Sequence, residues 1–210
     1  MQLFKTLYFI YNHPVNNKSK LNSLVNFFKW QVNCKLNKFP IIYTFTGKSK
    51  LIIKKGVAAA TGNYYCGLME FNDMAFLLHF LREEDLFIDV GANIGSYTIL
   101  ASGEIGSKSI AVEPIPTTFN SLEDNIQINK LGSKVKALNI GLSSTIGSLK
   151  FTKSMDSVNH VATDTDTDII DVNIDTLDNI LLLEKAPSII KIDVEGFETE
   201  VLLGATNTLN

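Results

Sequence analysis

The most constraining stretch of the chain is Phe87-Ile88-Asp89-Val90-Gly91-Ala92-Asn93-Ile94-Gly95-Ser96-Tyr97. An apolar run of strand length enters a glycine-containing turn, and helical spacing follows. A strand that is apolar on both faces must be covered on both faces, which points to a parallel sheet clad in helices. The rest of the C-terminal two thirds repeats the alternation. Runs at 86–90, 109–112, 135–140 and 188–194 read as strands, and 95–102, 117–130, 176–183 and 198–203 as helices, with Gly132 and Gly204 as stops. This pattern specifies an α/β fold with a Rossmann-like sheet and helices on both faces. Segments 147–152 and 169–174 read as an added antiparallel pair with a polar loop between them.

The turn carries candidate chemistry. Gly91 and Gly95 are expected to let the backbone bend tightly and to admit a ligand against the main chain. The helix that follows offers unpaired N–H groups. Asp89, near the strand's end, can accept hydrogen bonds from a ligand amine or from the turn. The second half of the site is Ile110-Ala111-Val112-Glu113-Pro114. An acidic residue about 20 residues beyond the glycine turn suits the two hydroxyls of a ribose. Pro114 lacks an N–H and stops the strand. A dinucleotide site would show GxGxxG, but Asn93 and Ser96 occupy the second and third glycine positions, and no GxxxxGK[ST] loop occurs. A ligand with a ribose and no phosphate fits better; S-adenosylmethionine is the common one.

A third strand-to-turn passage, Ile190-Lys191-Ile192-Asp193-Val194-Glu195-Gly196, again ends in acidic groups. Ligands of open α/β sheets bind at the carboxyl ends of the strands, so Asp193 and Glu195 are expected in one crevice with Gly91 and Glu113. There they could orient a substrate, take a proton from a hydroxyl or hold a cation. The alternative is structural: Glu195 capping the next helix, and Asp193 bracing the turn.

The N-terminal region has a different texture. Residues 1–69 contain ten lysines and no Asp or Glu, so the two parts of the chain carry +10 against −13. Residues 1–38 have helical spacing broken at His13-Pro14, and with lysines among the apolar positions they fit either a lid on the domain or helices lying on an anionic membrane surface. A hairpin is expected at 41–53, a loop at 56–67 and a helix at 73–81. Tyr64, Tyr65 and Glu70 either help close the pocket or pack beneath the hairpin. Cys34 and Cys66 form no CxxC, which points to a reducing, cytoplasmic setting. No run reaches the ~20 apolar residues of a membrane span, and residues 3–11 lack a cleavage site. The histidines are not spaced as a metal site; His160 is a minor candidate base, and the Thr-Asp run at 163–168 reads as a solvated acidic turn rather than a cation loop.

Taken together, FIDVGANIGSYT, AVEP, NIQIN, IDTLDNI and IIKIDVEGFETEVLLGA, in that order, resemble the FkbM family of methyltransferases over about residues 64–206. The resemblance implies a class I methyltransferase fold, S-adenosylmethionine as cofactor and a hydroxyl acceptor on a sugar or secondary metabolite, with no nucleic acid as partner. It puts Asp89, Gly91, Ala92, Asn93, Gly95 and Tyr97 around the methionine end. Glu113, with Pro114 beside it, takes the ribose. Gly141 and Leu142 flank the adenine, where Ser144 stands in place of a frequent Asp. Asp193 and Glu195 face the acceptor. A division into a basic region, 1–63, and a methyltransferase domain, 64–210, follows. Compared with the family's roughly seven strands the chain is expected to be incomplete at its C-terminus, which keeps a non-catalytic cofactor-binding scaffold as one alternative; a nucleotide-dependent oxidoreductase using the same strand-turn-helix is another, with Asn93 against it.

Overall fold

The computed structural model describes residues 2–36, 40–54, 58–152 and 168–210. Helix α1 (Gln2–Asn12) stops at His13, a 3-10 turn at Pro14–Lys18 redirects the chain, and α2 (Lys20–Lys35) packs against α1. The hairpin β1 (Ile41–Thr44) and β2 (Lys50–Ile53) pairs antiparallel with Tyr43 opposite Leu51. Then come α3 (Ala58–Cys66), α4 (Phe71–Phe80), β3 (Leu86–Val90), α5 (Ser96–Ile99) with a π-helical turn at Leu100–Ile105, β4 (Lys108–Val112) and α6 (Pro116–Ile128). The remainder is β5 (Val135–Leu138), β6 (Gly141–Leu142), β7 (Gly147–Thr152), β8 (Ile169–Asp175), α7 (Leu177–Ile180), β9 (Ile189–Ile192) and α8 (Glu198–Leu203).

The main sheet is parallel, in the order β5-β4-β3-β9. All five residues of β3 are buried, as an apolar strand in the middle of a covered sheet requires. On one face, Phe87 and Ala111 meet Leu77, Leu100 and Leu122 from α4, the π-helical turn and α6. On the other, Ile88, Val90 and Ile110 meet Leu177 and Val201 from α7 and α8. Burial of side chains such as Phe87 and Ile88, both 0% exposed, contributes roughly 1.5–3 kcal/mol each. The fold is therefore the doubly covered α/β class that the alternation specified. A second sheet, β6-β8-β7, stands beside it, its β7–β8 pair antiparallel.

Several local expectations are corrected. The segment expected as a loop at 56–67 contains α3 over its described part; Gly62 sits inside that helix, where Met69 fills the space beside it. The helix expected at 95–102 is one α-turn that widens into the π-helical turn. There Glu104 reaches the hairpin loop and accepts hydrogen bonds from Lys48 N (2.8 Å) and Ser49 N (2.7 Å). The strand expected at 135–140 ends at Leu138 as β5 of the main sheet, and the short β6 that follows pairs with β8. Asn139 makes the break, donating to the carbonyls of Glu113 (2.8 Å) and Pro114 (3.0 Å). The helix expected at 176–183 is a single turn capped by Thr176, whose hydroxyl accepts from Asn179 N at 3.1 Å.

The boundary expected at 63/64 falls inside α3. Phe45 and Leu51 of the hairpin region share a core with Phe87 and Leu122, and Ile10, Phe27 and Trp30 of the helix pair pack with Ile94. His160 and residues 163–167 lie outside the described residues.

Candidate functional site

The site forms where β3, β4 and β9 end together. After β3 the chain turns through Gly91 (φ +72°), Asn93 (φ +52°) and Gly95 (φ +86°). The N–H groups of Gly91 and Ala92 both donate to the Val112 carbonyl at 3.0 Å, which ties the turn to the end of β4. The two glycines serve the protein's own packing. A Cβ at Gly91 would lie 2.0 Å from the Asp193 carbonyl oxygen, and one at Gly95 would lie 2.5 Å from Leu122 Cδ1. In the side-chain direction of each glycine the space is filled by the end of β9 and by α6.

Glu113 is 6% exposed. Its Oε2 accepts from Asn93 N at 2.9 Å and its Oε1 from Ile115 N at 3.0 Å. Each carboxylate oxygen keeps a further lone pair. Burial pushes its carboxyl up to about 7, against the pull of the two backbone donors and of Lys191. A folded-state pKa above the unfolded value means that the protonated form is favoured in the fold. The corresponding stability is fully present below the usual 4.5 and is lost as pH rises through about 7. The loss in the ligand-free chain should be at most ~3 kcal/mol. Glu113→Gln should flatten that dependence, as read from urea midpoints across the range.

Asp89 is fully buried, and its Oδ2 accepts from Thr98 N (3.1 Å) and Thr98 Oγ1 (2.7 Å). Its Oδ1 has no hydrogen-bonded partner, but Lys191 Nζ lies 3.3 Å away. Sequence reasoning passed over Lys191. It stands opposite Asp89 in the β3–β9 register, donates to the Gly91 carbonyl at 2.9 Å and lies 3.6 Å from Asp193 Oδ2. It also sits 5.3 Å from the centroid of the Tyr97 ring. Burial alone would lower its pKa; the Asp89 and Asp193 carboxylates outweigh that, and the net direction is upward.

Ala92, Asn93, Tyr97, Lys191, Asp193 and Glu195 line one cleft of about 280 Å³, together with Asn63, Glu70 and Ser96. Tyr97 donates to Glu70 Oε2 at 2.6 Å, and Asn63 Nδ2 to Ser96 Oγ at 3.1 Å. Tyr64 and Tyr65 are elsewhere, with Trp30 and Phe27. Glu195 holds φ +45°, a conformation that costs a non-glycine residue free energy. No side chain caps α8; the nearest equivalent is Glu198, whose Oε1 accepts from Gly196 N at 3.2 Å.

The residues expected to flank an adenine are in the core. Leu142 packs with Val112 and Leu177, and a Cβ at Gly141 would lie 3.1 Å from Ile174 and 3.2 Å from Phe151. Pro114 ends β4 as expected and presents its carbonyl to Asn139. Among the described residues, no group of three or more His, Cys, Asp or Glu is arranged to hold a metal.

Residues 89–210 match the family model described as Methyltransferase FkbM domain. The chain is similar to Hexuronic acid methyltransferase AglP of Haloferax volcanii, 36% identical over 136 residues, covering 63% of this chain and 55% of that protein. It is also similar to Methyltransferase sdnD of Sordaria araneosa, 35% identical over 83 residues, which are 39% of this chain and 32% of that one. The chain thus spans about half the length, or less, of these curated relatives. A solved structure, precorrin-6y C5,15-methyltransferase of Geobacter metallireducens GS-15, aligns over 65% of this chain and 56% of that chain with 15% identity and a TM-score of 0.41. The family match extends over more than half of the residues, from the Asp89 turn through the Lys191 strand: the chain belongs to the FkbM methyltransferase domain family.

Proposed function

We propose that the chain binds S-adenosylmethionine and directs its methyl group to an oxygen of a small hydroxyl-bearing acceptor, a sugar or secondary metabolite. The observation that carries the reading is Glu113, a buried carboxylate tied to the Asn93 turn, with lone pairs left for two hydroxyl donors. The donor set fits the cofactor in two respects. A ribose diol supplies O–H donors and needs acceptors; the ammonium and sulfonium are cationic and suit a cleft whose carboxylates, Glu70, Asp193 and Glu195, outnumber its lining cation, Lys191. The hexuronic acid named for one relative supports a sugar as acceptor.

When bound, the cofactor supplies a sulfonium-borne methyl group, an electrophile that needs little activation. The protein's share is then alignment, exclusion of water and removal of one proton. Lys191 holds the end of β9 against the Gly91 turn. A new carbon–oxygen bond requires the acceptor hydroxyl to give up its proton. Glu195 is the better placed base, because Asp193 is already paired with Lys191.

Calorimetric titration with S-adenosylhomocysteine, with NAD as control, tests the cofactor. Saturable binding of the first and none of the second is expected. Glu113→Ala should weaken it about 10- to 100-fold, the worth of a hydrogen bond to a charged group or slightly more. Glu195→Gln should leave that affinity within about twofold and lower kcat about 100-fold, the low end for a lost general base. Binding of NAD instead, or no binding by a folded chain, would refute the cofactor assignment.

A further inference from the structure

The helix pair at the N-terminus displays its apolar stripe instead of hiding it. Phe4, Tyr8 and Tyr11 recur at helical spacing along α1, and Leu21, Val25 and Phe28 along α2. Each has more than a third of its surface in solvent, up to 77% at Phe4. Phe4, Tyr8, Tyr11 and Phe28 form the walls of a groove between the helices, with Lys5 among them. An apolar stripe facing water on two adjacent helices marks an interaction surface.

Charge selects the occupant. Residues 1–69 carry ten lysines and no acidic side chain. Lys5, Lys29 and Lys35 are exposed on these helices, and Lys20 Nζ lies 4.2 Å above the Tyr11 ring centroid. A second copy of the chain would bring lysines against lysines, since a two-fold interface apposes the same patch on both subunits. An anionic bilayer meets both features, with phosphates for the lysines and an acyl boundary for the aromatic stripe. No helix among the described residues is long and apolar enough to cross a membrane.

We propose that the α1–α2 face docks on an anionic phospholipid surface, lying in its plane. The pair is fastened to the rim of the cleft. His13 Nε2 lies 3.2 Å from the Met69 carbonyl, and Asn16 Nδ2 donates to the Tyr65 carbonyl at 3.3 Å. Met69 and Asn63 are cleft walls, so docking holds the cleft close to the bilayer. The inference does not depend on the methyl-transfer reading.

Co-sedimentation of the full chain with vesicles tests it, comparing equal parts of phosphatidylglycerol and phosphatidylcholine with phosphatidylcholine alone. Binding should be confined to the anionic vesicles and should fall as salt rises. Replacing Lys5, Lys29 and Lys35 by Gln should weaken it about fivefold per lysine. Separately, Phe4→Ser with Tyr8→Ser and Phe28→Ser should weaken it at least about tenfold. These side chains are largely in solvent, so both variants should melt as the parent does. Equal binding to neutral vesicles, or none by the folded chain, would overturn the proposal. So would sedimentation velocity showing a dimer that the serine variant dissociates.

Discussion

Gly91→Ala should unfold or grossly destabilise the chain, with a loss of about 3–5 kcal/mol. Two costs add. The added Cβ would lie 2.0 Å from the Asp193 carbonyl oxygen and 3.0 Å from its carbon. These are backbone atoms at the end of a hydrogen-bonded strand, so they cannot swing aside as a side chain would. Alanine would also have to hold φ +72°, which costs an L-residue about 1–2 kcal/mol. A chain of this size should lose roughly 10 °C in melting temperature. Gly196→Ala is the control. That glycine has φ +87° but nothing within 4 Å of its Cβ position, so only the conformational part, about 1–2 kcal/mol, should appear. Equal losses at the two positions in urea titrations would mean that the contact with β9 costs nothing.

Lys191→Met should cost about 3–5 kcal/mol, the penalty for leaving a buried charge without its partner. Asp89 is 0% exposed, and its Oδ1 has the Lys191 ammonium at 3.3 Å and no hydrogen-bonded partner among the described residues. Pairing Lys191→Met with Asp89→Asn should recover most of the loss, because the amide oxygen can still accept from Thr98 and no carboxylate remains to be desolvated. The ion pair also makes an alkaline signature. The folded-state pKa of Lys191 is raised, so its contribution is complete below the usual lysine value and disappears as pH rises through the higher, folded one. A double-mutant cycle by chemical denaturation separates this from loss of packing. A coupling near zero would show that Asp89 is satisfied by Thr98 alone.

The main sheet was legible in the sequence because its strands are short apolar runs bounded by turn residues, and burial on both faces leaves no other texture. Asp193 and Glu195 were expected in one crevice with Gly91 and Glu113, by the rule that such sheets bind ligands at the carboxyl ends of their strands; they line a cleft with Asn93 and Tyr97, and Gly91 and Glu113 are not among its walls. Lys191 was also on the page, as the one charged residue inside Ile189–Ile192. A charge within a covered strand demands a counter-charge, and Asp89 is the acidic residue of β3. Only the pairing register, which sequence periodicity does not supply, sets the two opposite each other.

Other features were illegible for different reasons. Gly141 and Leu142 pair with β8 rather than with the main sheet, next to the two side-chain hydrogen bonds of Asn139, and periodicity carries no sign of that switch. The helix α3 was obscured by its Ala and Gly content, which carries no apolar period; its burial comes from partners such as Phe27, Trp30 and Ile94, distant in sequence. The glycines of the turn and the nearness of Asp193 to Gly91 were legible, but the backbone contact itself was not, since the chain that fills the space beside Gly91 arrives about a hundred residues later.

That delay has a consequence for how the protein is made. At ribosomal speeds of about 5–20 residues per second, Asp89 leaves the exit tunnel roughly 5–20 s before Lys191 does. During that interval β3 can collapse onto β4 but lacks the cation that its buried carboxylate requires. The nascent β3–β4 unit must therefore keep the open end of Asp89 hydrated, and the cleft cannot close until β9 docks. Assembly of the cleft thus waits on the arrival of a late strand, which makes that strand the checkpoint between a collapsed chain and a finished one.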